Sequence, residues 1–273
     1  MEELSKWQEV LWILAPGLVL AGLLLGLFAV FAATSGRVDP AASREEGSVL
    51  LPRLVIGFWY WLVDPIVDWL GRGGVRPNHV TLFSLGLATL AAVALGAGHF
   101  MLGCWLVVAA ASCDLLDGLL ARRTDSGSPA GAFLDSFADR VAEGIVFAGI
   151  AYYGGGGLLT WMALWAMLAS VLVSYARARG EALGAAGKTG LMQRPERLLW
   201  LIVILFAAPI AAVFLEPGAA QPVMHVAVGG VGLLALLTSV TAARRASSIV
   251  DELSDDDVEQ PDIELREQPA QAE

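Results

Sequence analysis

Residues 114–139 read DLLDGLLARRTDSGSPAGAFLDSFAD, and their two pairs of carboxylates, Asp114 with Asp117 and Asp135 with Asp139, stand in a chain that otherwise reads as lipid-soluble helix. The members of each pair are three and four residues apart, a spacing that puts both side chains on one face of a helix. Arg122, Arg123, Gly127, Pro129 and Gly131 lie between the pairs, so two helices with acidic faces are joined by a turn. If the faces meet, carboxylates crowd one small volume, and like charges that close cannot all ionise unless something positive sits between them. The simplest such thing is a pair of divalent metal ions.

Outward from this stretch, composition sets the class. The chain has 273 residues, 56% of them hydrophobic and 16% charged, and its long apolar runs define a polytopic helical membrane protein. The formal charge of -10 does not describe the whole molecule. Ten acids lie between Asp251 and Glu273 against the single base Arg266, so this tail carries -9 and the rest about -1. The tail is polar and poor in apolar residues, a composition that favours disorder. No nucleic-acid partner is expected. Cys104 and Cys113 fall on one expected helix, about 14 Å apart along its axis, too far to pair.

The run Leu11 to Ala33 is too long for a signal-peptide core and lacks a basic region before it, so it reads as a retained span. A polar linker with Arg37, Arg44, Glu45 and Glu46 follows. Leu51 to Leu70 mixes Phe58, Trp59, Tyr60, Trp61 and Trp69 with Asp64, Pro65 and Asp68, which suits an interfacial helix with Asp64 as a cap before Pro65. Six apolar segments follow, at about Val80–Ala97, Met101–Ala121, Gly131–Tyr153, Leu158–Ala176, Leu198–Leu215 and Val223–Ala243. With the first span they make seven crossings of about 30 Å of hydrocarbon. Alternating sides leaves only Lys6 of seventeen bases on one face. By the positive-inside rule the other face is cytoplasmic, which puts the N-terminus outside and the acidic tail inside.

In this topology Asp114 lies about 12 Å of helix below the cytoplasmic interface, and Asp139 a similar distance into the next span. Unpaired ionised groups at such depth cost at least ~2.5 kcal/mol each on insertion scales. Salt bridges to Arg122, Arg123 and Arg140 are one way to offset them. A cation-coupled transporter is another use for intramembrane acids, but transporters usually place their sites at the midplane, and these acids sit at one end of their spans. A site at the interface suits a reaction that joins a water-soluble molecule to a lipid.

The spacing Asp114-x2-Asp117-Gly118-x2-Ala121-Arg122-x8-Gly131-x3-Asp135-x3-Asp139 resembles, at all eight fixed positions over 26 residues, the signature of the CDP-alcohol phosphatidyltransferase family. The membrane prenyltransferases, which also use Asp-rich helices, carry an Asn-Asp-x-x-Asp-x-x-x-Asp pattern that is absent here. The resemblance implies an all-α polytopic membrane protein: a six-helix core plus an extra N-terminal span and an interfacial helix. Residues 1–50 are then the first span and linker, 51–249 the catalytic domain and 250–273 the tail. It implies transfer of a phosphatidyl group from CDP-diacylglycerol to a polar alcohol with release of CMP, dependent on Mg2+ or Mn2+, two ions in all, by a homodimer in a bacterial or archaeal plasma membrane. By the same resemblance Asp114, Asp117, Asp135 and Asp139 are metal ligands, with Asp139 also a candidate general base beside Asp135. Asp114, Asp117, Gly118, Arg122, Ser128 and Gly131 would meet the CDP-lipid. Glycines at 118 and 131 let a nucleotide approach the backbone, and Arg122 can fork onto a phosphate. Ser128 is equally a turn residue beside Pro129.

Pro77-Asn78-His79-Val80-Thr81 is similar to the family's entry to the first shared span, where Pro77 or Asn78 is expected to start the helix. Gln193-Arg194-Pro195-Glu196-Arg197 resembles the branch that makes phosphatidylinositol phosphate, in which bases at the ends of spans bind the phosphate of the acceptor. Arg177, Arg194 and Arg244 (or its neighbour Arg245) are the matching candidates. Relatives of that branch commonly carry Lys where this chain has Ala176, which leaves the acceptor open between inositol 1-phosphate, glycerol phosphate, serine and inositol.

Overall fold

The computed structural model describes residues 2–34, 53–185, 190, 192–216 and 223–259, and in these it contains eight helices and no strand. They are α1 (Glu2–Thr34), α2 (Arg53–Arg72), α3 (Pro77–Gly96), α4 (Phe100–Arg123), α5 (Pro129–Tyr153), α6 (Leu158–Ala182), α7 (Arg194–Leu215) and α8 (Met224–Glu259). The expected linker around Arg37 to Glu46 and the tail beyond Glu259 lie outside the described residues.

Proline sets three of the helix starts. Pro77, Pro129 and Pro195 occupy the first turns of α3, α5 and α7, where a missing N–H costs nothing. Ser128 caps α5 by accepting a hydrogen bond from the Gly131 N–H at 3.1 Å. Six helices are long and apolar enough to cross a membrane: the Leu14–Ala33 part of α1, then α3, α4, α6, α7 and the Met224–Ser254 part of α8. The seventh expected span, α5, is as long as its neighbours but carries Asp135, Asp139, Arg140 and Glu143.

In the bundle α3 lies against both α4 and α5, α6 lies against α8, and the two groups are joined by α5 against α6 and by α7, which touches α4 and α8. One apolar core runs through it, from Leu95, Phe100 and Phe147 to Leu159, Leu205 and Leu234. Close approach needs small residues, as is usual between membrane helices. A Cβ on Gly149 of α5 would overlap the Ala92 main chain of α3. Large apolar side chains such as Phe83, Val93, Trp161 and Leu168 point outward, as a lipid-facing surface requires.

Two expectations need correction. Asp64 is not a cap: α2 runs on through Pro65, and Asp64 and Asp68, four residues apart on one face, both accept from the Arg123 guanidinium at 2.5 Å. That fork ties α2 to the end of α4, over a small cluster of Val67, Val80 and Leu120. The polar segment after Ile249 does not begin the tail at once, because α8 continues to Glu259. Between Asp251 and Glu259 there is neither glycine nor proline to break it. The first helix packs lightly, through Trp7 on Phe214 (ring centroids 5.2 Å) and Phe31 on Trp61 (5.6 Å).

Candidate active site

The acidic faces of α4 and α5 meet. One carboxylate oxygen from each of Asp114, Asp135 and Asp139 lies within 4.8 Å of the others. The fourth acid, Asp117, is 4% exposed and stands slightly apart, with its Oδ2 accepting from the Thr81 hydroxyl of α3 at 2.5 Å. That contact orients Asp117. Asp139 is also buried, at 8% exposed.

The cation that answers these acids comes from α7. Arg194 donates through Nη1 to Asp114 Oδ2 at 3.0 Å and through Nη2 to Asp139 Oδ1, so one guanidinium spans both acidic helices. Of the three arginines expected to offer salt bridges to the acids, Arg140 does so. Arg123 holds α2, Arg140 Nη1 donates to the Ser136 carbonyl at 2.5 Å and stands 3.8 Å from Asp139, and Arg122 is exposed on the last turn of α4. One turn deeper, Glu143 accepts a double hydrogen bond from Arg197, at 2.9 and 3.0 Å, and Arg197 also donates to the Met192 carbonyl. Neither Thr81 nor the Glu143–Arg197 pair is among the residues expected from sequence. Both carried a signal: Thr81 closes the Pro77 to Thr81 element, Glu143 is four residues past Asp139, and Arg197 is three past Arg194.

A cavity of about 60 Å³ opens beneath this layer, lined by Thr81, Ser84, Asp114, Asp139, Glu143, Arg194 and Arg197 at its polar end and by Ala88, Ala110, Val146 and Leu201 further in. The motif glycines differ in surroundings. A Cβ on Gly118 would meet nothing within 4 Å, so that backbone faces open space, whereas on Gly131 it would lie 3.2 Å from Ser128 Oγ and 3.5 Å from Asn78 Oδ1. Of the candidate acceptor arginines, only Arg194 reaches the acids. Arg177 pairs with Glu181 at 2.8 Å on an exposed face, and Arg244 is exposed. Its neighbour Arg245 turns inward, 3% exposed, donating to the Val173 carbonyl at 3.0 Å, within electrostatic range of Arg177 and Arg197.

The donor set fits a hard divalent cation. Carboxylate oxygens from two helices converge, among the described residues no thiolate or imidazole joins them, and five acids (Asp114, Asp117, Asp135, Asp139 and Glu143) outnumber the three guanidiniums of Arg140, Arg194 and Arg197 around them. Fold and site together define an integral membrane enzyme with an acidic centre at one end of its bundle.

Comparison with known proteins narrows that class. A family model described as CDP-alcohol phosphatidyltransferase matches residues 74–241. A phosphatidylinositol phosphate synthase of Mycobacteroides abscessus is 36% identical over 193 residues, covering 69% of this chain and 83% of that protein. The crystal structure of Mycobacterium tuberculosis phosphatidylinositol phosphate synthase with CDP-DAG bound superposes with a TM-score of 0.60 at 28% identity, over 68% of this chain and 92% of the other. The same enzyme in complex with manganese and citrate gives 0.59 at 29% identity, over 68% and 87%. The chain belongs to the CDP-alcohol phosphatidyltransferase family.

Proposed function

We propose that the protein transfers the phosphatidyl group of CDP-diacylglycerol to the hydroxyl of inositol 1-phosphate, releasing CMP, at the cytoplasmic face of the membrane. The observation that carries this reading is the convergence of Asp114, Asp135 and Asp139 at the bundle end where Arg194 enters. The named relative and the neighbour with CDP-DAG support the donor and the acceptor.

In this reading Asp114, Asp117, Asp135 and Asp139 hold two divalent ions, Mg2+ or Mn2+, and the neighbour with manganese supports that choice. When bound, the ions supply charge neutralisation across the donor pyrophosphate and stabilise departing CMP. The acceptor oxygen attacks the phosphorus that carries the diacylglycerol, the phosphorus–oxygen bond to CMP breaks, and the hydroxyl proton passes to the Asp139 carboxylate as general base. Thr81 keeps Asp117 aimed at the donor. Gly118 offers open backbone to the nucleotide, with Arg122 near the phosphates and Ser128 and Gly131 at the turn. Arg194 meets the acceptor phosphate, aided by Arg177 and by the last span's arginines, of which Arg245 is the inward one. Residues 51–249 form the catalytic unit, in a homodimer, with the first span and the tail as additions.

An acceptor panel tests the assignment. Membranes containing the protein are expected to release CMP from CDP-diacylglycerol with inositol 1-phosphate and a divalent metal, and not when either is left out. Release with glycerol phosphate, serine or inositol instead would replace the acceptor but keep the reaction. Asp117→Asn and Asp135→Asn are each expected to lower turnover by on the order of 10²-fold or more while the protein still inserts. Unchanged turnover in both would reject the metal assignment.

A further inference from the structure

Two arginines a turn apart on α7 face the acids, and they are held differently. Arg197 is locked: 2% exposed, forked onto Glu143 and donating to the Met192 carbonyl. Arg194 is the first residue of its helix, follows the extended Gln193, and keeps 39% of its side chain exposed. Nothing but the two carboxylates holds its guanidinium among the described contacts, and those contacts are to Asp114 Oδ2 and Asp139 Oδ1.

We propose that Arg194 is a displaceable counter-ion, which holds Asp114 and Asp139 until divalent cations take those oxygens and then swings to the acceptor phosphate, so that metal and acceptor bind cooperatively. This rests on the metal and acceptor assignments above and adds the exchange between them. A guanidinium and a dication that compete for the same oxygens repel each other, so the ion that wins expels the one that is mobile. Arg197, itself buried, cannot leave without breaking its fork onto the half-buried Glu143, whereas Arg194 sits at a helix start with an exposed route outward. Charge favours release toward the inward Arg245, which donates to the Val173 carbonyl and lies within electrostatic range of Arg177, and a phosphate placed there would draw the freed guanidinium. Binding linkage then requires each ligand to tighten the other by one common factor, with Arg194 as the link.

The test uses the full chain in nanodiscs of zwitterionic lipid, without CDP-lipid, so that no turnover occurs. Free Mn2+ is followed by electron paramagnetic resonance, with and without inositol 1-phosphate. For the unmodified protein the acceptor is expected to tighten Mn2+ within the roughly 5- to 150-fold range of allosteric coupling. Arg194→Gln is expected to bind Mn2+ more tightly than the unmodified protein without acceptor, and to show no tightening with it. Arg194→Lys keeps the charge without the fork, should fall between, and carries the test if the Gln variant does not fold. Mn2+ affinity in Arg194→Gln equal to or weaker than the unmodified protein, or coupling that survives in it, overturns the exchange while leaving the metal site standing. Unaltered Mn2+ binding in Asp135→Asn, or no saturable binding of inositol 1-phosphate at saturating Mn2+, would instead remove the underlying assignments, and the exchange with them.

Discussion

Thr81 sits one helix away from the acidic motif and still sets the geometry of one of its members. Its hydroxyl donates to Asp117 at 2.5 Å inside a site where that acid is 4% exposed, so the contact replaces solvation that burial removed. A hydrogen bond to a buried charge is worth roughly 1.5–3 kcal/mol. Thr81→Val, which keeps the shape and removes the donor, is expected to lower the rate of CMP release about 10- to 100-fold, the usual effect of losing a group that orients a ligand. Thr81→Ser should retain most of the rate, and equal rates in the two variants would show that the hydroxyl does not orient Asp117. At the same scale, Arg197 and Glu143 form a pair that is costly to break singly, about 3–5 kcal/mol for a buried ion left unmatched. The spacing of Asp114, Asp117, Asp135 and Asp139 made the site legible along the chain. Thr81 and Arg194, 36 and 80 residues from the acids they hold, were not legible as their partners.

Elements are held to one another by polar ties at both ends of the bundle. At the acidic end, Arg123 of α4 forks onto Asp64 and Asp68 of α2. At the opposite end Glu216, which follows α7, accepts from the Met224 N–H at 3.1 Å, the His225 N–H at 2.7 Å and His225 Nδ1 at 2.8 Å, and so caps α8. Burial works to raise the Glu216 carboxyl, but hydrogen bonds from the His225 backbone and ring and from the Met224 N–H, with the His225 charge, outweigh it and hold the group below its ordinary value. The folded state therefore favours the ionised form. The stability this confers is complete above the unfolded pKa of about 4.3 and is lost as pH falls through the lower folded value. Glu216→Gln is expected to lower the melting temperature at pH 7 in detergent and to melt with a weaker dependence on pH between 5 and 3 than the unmodified protein. Parallel acid profiles would show that this carboxylate does not tie α7 to α8. The six spans long and apolar enough to cross were readable from composition, and α5 was readable by its length. The role of Asp64 was not, because its partner is an arginine more than fifty residues away.

At the scale of the whole molecule, lipid-facing apolar side chains surround a core whose charged groups gather where α4, α5, α7 and the end of α8 come together, with Glu216 at the opposite end. By the positive-inside rule the distribution of bases makes a cytoplasmic position the expectation for that end. In a background with Cys104 and Cys113 replaced by Ala, a single cysteine at Ser126, in the exposed α4–α5 turn, is expected to react with a membrane-impermeant maleimide only in inverted vesicles. One at exposed His99, at the other end of α4, should react only in intact cells. The reverse pattern would turn the molecule over and put the acids outside.

The chain's own residues determined that this is a helical membrane protein and where its acids lie along two neighbouring spans, because hydropathy and helical spacing are local properties. Which cation answers those acids, which hydroxyl orients Asp117 and which of Arg244 and Arg245 turns inward were decided only when α3, α7 and α8 packed around α4 and α5. Those are contacts between residues distant in the chain, and their partners exist only once the helices meet.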